Sequence, residues 1–142
     1  MDNNWQVAEL QIKYKKRKKQ PVIIKSTLDA VRVLLKHWDI DLMNIQEQYC
    51  ALYLDTQGEA LAFRLISTGR QNDCGFDMKL LLSCGLLCRA HSLIVAHNHP
   101  SGSLKVSSSD KETTIKLKSA CELVGLHLID SLIITDKGFV SI

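Results

Sequence analysis

Apolar and polar positions along the chain switch between a period of two and a period near 3.6. The stretch "WQVAELQIKYK" alternates loosely and predicts a strand, with "PVIIK" as a second short one. Ser26, with Asp29 three residues on, is placed to cap an amphipathic helix over "TLDAVRVLLKHW". A polar connector, "DIDLMNIQ", leads to the strand "EQYCALYLD". The turn "DTQGE" returns the chain into "ALAFRLIS", which predicts a hairpin. After the polar loop "STGRQNDCG" comes the helix "DMKLLLSCGLLCRA". The next run, "SLIVAH", is short and apolar throughout, as in a strand buried on both faces. From Ser107 the pattern is helical through "SSDKETTIKLKSACELV", and Gly125 stands where a C-terminal cap belongs. "LHLIDSLIIT", a "DKG" turn and "FVSI" close the chain as two more strands. Strands alternating with helices predict one mixed α/β domain with helices packed on a sheet.

The 142 residues fit one domain, and no apolar run approaches the roughly 20 residues of a membrane span. "MDNNWQVAEL" lacks the features of a secretory signal, so the expected location is the cytoplasm and no membrane partner is expected. Five cysteines (Cys50, Cys74, Cys84, Cys88 and Cys121) are an odd number, which favours reduced thiols over a disulfide framework. The net charge of +3 is local in origin. "KYKKRKK" holds six basic residues, leaving twelve against fifteen acids in the rest. Lys15, Lys16, Arg17, Lys18 and Lys19 are thus candidates for contacts with nucleic-acid phosphates, set against the alternative of a solvated edge segment. Aromatic interleaving is limited to Tyr14.

Candidate chemistry centres on "HNHPSGSLKVSSSD". Residues two apart in a strand point to the same side, so His97 and His99 can direct both imidazoles at one point. Pro100 ends the ladder and Ser101-Gly102 permits a turn. Asp110, in the first turn of the next helix, can return a carboxylate to the pair. Two imidazoles, a carboxylate and an open position form a recurring catalytic zinc arrangement, in which the pKa of a bound water falls from about 15.7 towards about 7. Ser107, one turn earlier, can offer a hydroxyl to a developing oxyanion. Several carboxylates could serve as base, and spacing does not rank them. Ser107-x-x-Asp110 is equally a capping-box variant, and the histidines can be ordinary hydrogen-bonded side chains. Cys84 and Cys88 share a helix face and read as buried thiols. His37, His91 and His127 lack partners at ligand spacing, and Trp5 and Trp38 read as packing residues.

"AHNHPSG", then six residues between Pro100 and Ser107, then S-x-x-D resembles the JAMM metalloprotease motif in its RadC-like form. The similarity continues through "EQYCALYLD" and its hairpin, the helix before "SLIVAHNHP" and the "LIDSLIIT" strand, over roughly residues 22–142. It implies an MPN/JAMM-like (cytidine-deaminase-like) single domain, a curved sheet flanked by helices, over 22–142, preceded by an N-terminal strand and basic segment over 1–21. It also implies one Zn²⁺ per chain on His97, His99 and Asp110, Ser107 beside the oxyanion, and Glu47 as the base that activates water. The activity implied is a zinc hydrolase, a metallopeptidase or isopeptidase acting on an unidentified peptide or isopeptide bond. The alternative is a DNA-associated accessory protein with a structural or vestigial metal site. The chain departs from the pattern at Val106, where a proline is typical, at Ser131, where a histidine is typical, and at "DMKLLL", in place of a P-R-E-V-F-like run. The helix-hairpin-helix region of full-length relatives has no counterpart in residues 1–21, which lowers the expectation of DNA binding. The RadC link to DNA repair is an association of name, and the oligomeric state is open.

Overall fold

The structure, a computed structural model, describes residues 7–16, 20–69 and 75–142. Its elements are α1 (Thr27–His37), β1 (Gln48–Leu54), β2 (Ala60–Thr68), α2 (Met78–Leu87), β3 (Ser92–Asn98), α3 (Ser108–Leu123), β4 (His127–Thr135) and β5 (Gly138–Ser141), with a short 3-10 turn at Ile40–Leu42. The strands form one mixed sheet in the order β2-β1-β3-β4-β5. Only β3 and β4 pair in parallel, joined by the crossover through α3, and the other pairs are antiparallel. This is the mixed α/β architecture the sequence pattern predicts.

Central position in the sheet explains the composition of β1 and β3, since every residue of both strands is buried. Alternate side chains feed two cores. On one face Cys50, Leu52, Leu54, Ile94, Ala96, Leu132 and Ile134 pack with Ala30, Val31 and Leu34 of α1. On the other, Ala51, Tyr53, Leu93 and Val95 pack with Leu81 of α2 and with Leu117 and Cys121 of α3. Helix α2 lies close to the sheet at Gly85, where an added Cβ would stand 3.0 Å from Leu126 and 3.2 Å from the Tyr53 ring. Tyr53 fixes that approach by donating its hydroxyl to the Leu81 carbonyl at 2.6 Å.

The helix ends are built as their sequences imply. Ser26 Oγ accepts from the Asp29 amide, and the Asp29 carboxylate reaches back to the Lys25 amide. At the far end of α3, Gly125 takes a φ of +77°, while its amide and that of Leu126 donate to the Glu122 and Cys121 carbonyls. This paired closure needs a left-handed residue, which glycine supplies without strain. Trp38 is packed as expected and donates Nε1 to Gln48 Oε1 at 2.9 Å. The four described cysteines are free thiols, three of them buried.

The N-terminal expectation needs correction. Residues 7–16 form no strand, and Val7, Leu10 and Ile12 are exposed. Alternation alone does not make a strand when no neighbour completes the ladder. The "PVIIK" stretch contributes one bridge, Ile23 to Glu59, rather than a strand. Trp5 and Cys74 lie outside the described residues. No helix among the described residues is long and apolar enough to cross a membrane.

Candidate metal centre

His97 is the next-to-last residue of β3 and His99 lies just beyond its end. A tight turn follows, closed by the Gly102 amide on the His99 carbonyl at 2.9 Å with Gly102 at a φ of +79°. The chain then enters α3 with Ser107 as N-cap and Asp110 in the first turn. Ser107 Oγ accepts from the Asp110 amide at 3.0 Å, and the Asp110 carboxylate accepts from the Ser107 amide at 2.8 Å. The capping box is therefore real, and it points Asp110 at the histidines.

His97 Nε2 lies 3.2 Å from His99 Nε2 and 3.1 Å from Asp110 Oδ1, and His99 Nε2 lies 3.6 Å from Asp110 Oδ2. A zinc ion with bonds of about 2.0–2.1 Å at tetrahedral angles separates its ligand atoms by about 3.3–3.4 Å, so the triangle has the right size. Its chemistry also fits. His99 Nδ1 stands 2.9 Å from the Ser103 carbonyl, to which only an N–H can donate, so in the neutral imidazole Nε2 carries the lone pair. The Asp110 carboxylate is an acceptor as well. At most one proton, on His97 Nε2, is available to three converging acceptors, an arrangement that a cation relieves.

Burial pushes the pKa of His97 down to about 4 from 6.5, with the nearby Asp110 opposing the shift and His99 adding to it. Burial raises the Asp110 pKa, but the Ser107 amide and hydroxyl and the two imidazoles outweigh it and hold the carboxyl below its ordinary value. Both groups are thus in their metal-binding forms at neutral pH. In metal-stripped protein, the His97 contribution to stability is fully present above pH 6.5 and is lost as pH falls to about 4, because the unfolded chain binds the proton first. Denaturant titrations should show a loss on the order of 3 kcal/mol across that window, at about 1.36 kcal/mol per pKa unit. Asp110 adds a loss of the same sign at the acid end. A flat profile would contradict a neutral, buried His97.

The triad opens onto a cleft of about 160 Å³ whose walls include Glu47, Tyr49, Phe76, Ser107, Thr114 and Ser131. Glu47 is half-buried just before β1, and its carbonyl accepts from the Gly69 amide at 2.7 Å. His97, His99, Ser107 and Asp110 thus line one space, together with Glu47, the residue before β1.

Residues 24–142 match the RadC-like JAB domain family. The chain belongs to this family. It is 40% identical over 96 residues to a UPF0758 protein of Streptococcus suis, covering 68% of this chain and 39% of that protein. A UPF0758 protein of Aquifex aeolicus is 35% identical over 68% of this chain and 42% of its own length. One from Haemophilus ducreyi is 28% identical over 81% of this chain and 52% of its own. The chain spans about half the length, or less, of these curated relatives.

Within the RadC-like domain, two residues escaped sequence reasoning. Asn98, fully buried between the two histidines, accepts the Gln48 amide at 2.7 Å and donates to the Met43 and Gln46 carbonyls at 2.7 and 2.8 Å. Its signal was an amide in an otherwise apolar strand, which needs partners. Tyr49 pairs with His97 across β1 and β3 and is invisible without their register. His91 and His127 are exposed, as surface histidines should be, and their rings meet at 4.8 Å because parallel pairing sets β3 beside β4. His37 is satisfied locally by the Val33 carbonyl. In the basic segment, Lys16 pairs with Glu59 at 3.3 Å and Tyr14 donates to the Leu61 carbonyl, while Lys15 is exposed. Arg17, Lys18 and Lys19 lie outside the described residues.

Proposed function

We propose that this RadC-like domain is a zinc-dependent hydrolase of the JAMM type, acting on a peptide or isopeptide bond. The observation that carries the reading is the convergence of His97 Nε2, His99 Nε2 and the Asp110 carboxylate beside a cleft that Glu47 also lines. His97, His99 and Asp110 would hold one Zn²⁺ per chain. When bound, the cation supplies a Lewis acid and makes water acidic enough to yield hydroxide near neutral pH.

The chain's own groups supply the rest. The Glu47 carboxylate takes the proton from the attacking water and delivers it to the leaving nitrogen, as a general base that becomes a general acid. The Ser107 hydroxyl uses its oxygen to cap α3, so its proton is free to be donated to the developing oxyanion. Asp110 stays ionised while it closes the capping box, and His99 is held in one tautomer by the Ser103 carbonyl.

Glu47→Gln removes a base but no proposed ligand. Hydrolysis of an internally quenched peptide library should fall by about 10²- to 10⁴-fold, with zinc content by elemental analysis unchanged. Wild-type turnover by Glu47→Gln would remove Glu47 from the mechanism, and loss of zinc would make it a ligand instead.

A further inference from the structure

Tyr49 is a buried side chain in the cleft for which the hydrolytic scheme has no role. Its ring lies between Phe76, at a centroid distance of 4.1 Å, and the His97 imidazole, at 5.7 Å, with both pairs within 8° of parallel. The residue is only 7% exposed and borders the cleft; Ser131 stands beside its oxygen as a donor, but the phenol's own proton has no acceptor among the described residues. Burying the phenol O–H without an acceptor forfeits its hydration, and packing does not repay that loss, since phenylalanine would stack equally well. The hydroxyl is therefore better explained by something that enters the cleft.

Ser131 borders the same space and is 2% exposed. Its Oγ accepts from Thr114 Oγ1 at 3.1 Å, which leaves its own proton for the Tyr49 oxygen. The wall thus presents one neutral O–H donor, that of Tyr49, at the end of a chain of three hydroxyls. The charged groups around the cleft are the carboxylates Glu47 and Asp110, with no lysine or arginine among the described lining residues. In the metal-free chain an anionic group placed against Tyr49 would meet a neutral donor and like charges, whereas a neutral oxygen acceptor meets only the donor. The cleft is also narrow, about 160 Å³, against the about 300–1,000 Å³ of sites for drug-sized ligands. It suits a slim group.

We propose that Tyr49, with Ser131 and Thr114 behind it, forms a neutral donor subsite that takes an uncharged carbonyl-type oxygen on the substrate and sets its position against the His97, His99 and Asp110 cluster. The proposal rests on the hydrolase reading for calling that ligand a substrate, and on Tyr49 and Ser131 for where it binds. Tyr49→Phe deletes one oxygen and keeps the ring stack. In the metal-stripped full chain, N-methylacetamide should give saturable shifts at the Ser131 and Thr114 amide resonances. Tyr49→Phe should weaken that binding by about 2- to 12-fold, the range for one neutral hydrogen bond, and Ser131→Ala, which leaves the phenol proton in place, should weaken it by less. The melting temperature of Tyr49→Phe should fall by no more than about 8 °C, since only the Ser131 proton loses an acceptor, and its zinc content after reloading should match.

A melting temperature lower by more than about 8 °C, beyond the loss of one ordinary hydrogen bond, would make the hydroxyl a structural group and overturn the proposal. So would N-methylacetamide binding that is absent or indifferent to Tyr49, or acetate or inorganic phosphate binding there as well as the amide. Because the binding measurement needs no metal, a protein that fails to hold zinc defeats the hydrolase reading and leaves the subsite to be judged on its own. Conversely, zinc and hydrolysis with an indifferent Tyr49 defeat only the subsite.

Discussion

Asp110→Ala is expected to empty the metal centre and loosen the start of α3 in one step, while Asp110→Asn separates the two effects. The carboxylate reaches His97 through Oδ1 and the Ser107 amide through Oδ2. Alanine removes both contacts. Zinc affinity should fall by more than about 100-fold, since even partners outside the ligand shell cost 10–100-fold. The lost helix start should cost about 1 kcal/mol. Asparagine keeps an oxygen for the Ser107 amide but carries no charge, so the helix should hold while zinc affinity still drops severely. Elemental analysis after dialysis, paired with thermal melts, distinguishes the two. Stoichiometric zinc in Asp110→Ala would rule the residue out as a ligand, and equal melting losses in both variants would deny the capping role.

The dual role of Asp110 also shows what a sequence can reveal. Ser107 and Asp110 are three residues apart, and His97 and His99 two apart, so each pair is defined by the local geometry of a helix start or a strand end. Spacing alone left ligand and cap as alternatives, whereas in the folded chain one carboxylate does the capping while facing both imidazoles. Glu47 was reached through the family resemblance, because its place in the cleft depends on how the start of β1 lies beside β3. Tyr49 and Ser131 depend on register between strands distant in sequence, 49 against 97 and 95 against 131, which no periodicity encodes. The same limit explains His91 and His127, brought together by the β3–β4 register, and it explains the failed N-terminal strand. Leu10, Ile12 and Tyr14 alternate correctly, but a strand is a property of two segments and no described segment pairs with this one.

Asn98 provides the sharpest test of how the fold aims Glu47. Its amide meets one N–H and two carbonyls, so the partners themselves dictate which end is oxygen. These three bonds tie residues 43, 46 and 48 to β3, and Glu47 lies inside that span. Asn98→Ala leaves the three groups without their partner. Gln46 is exposed enough to recruit water, but Met43 and Gln48 are buried. At roughly 1–3 kcal/mol for each buried group left unpaired, the expected loss is on the order of 3–5 kcal/mol, a large part of the about 5–15 kcal/mol that holds a domain together. Asn98→Asp should be at least as damaging despite its matching shape. It still accepts from Gln48, but it turns an oxygen towards two carbonyl oxygens and places a charge where there is no solvent. In urea titrations both variants should therefore unfold well before the wild type. In the fraction that remains folded, hydrolysis should fall further than zinc binding, because the bonds lost position the proposed base and not the proposed ligands. Asn98→Asp within about 1 kcal/mol of wild type, the size of a single ordinary hydrogen bond, would mean that the amide does not hold the Glu47 segment in place.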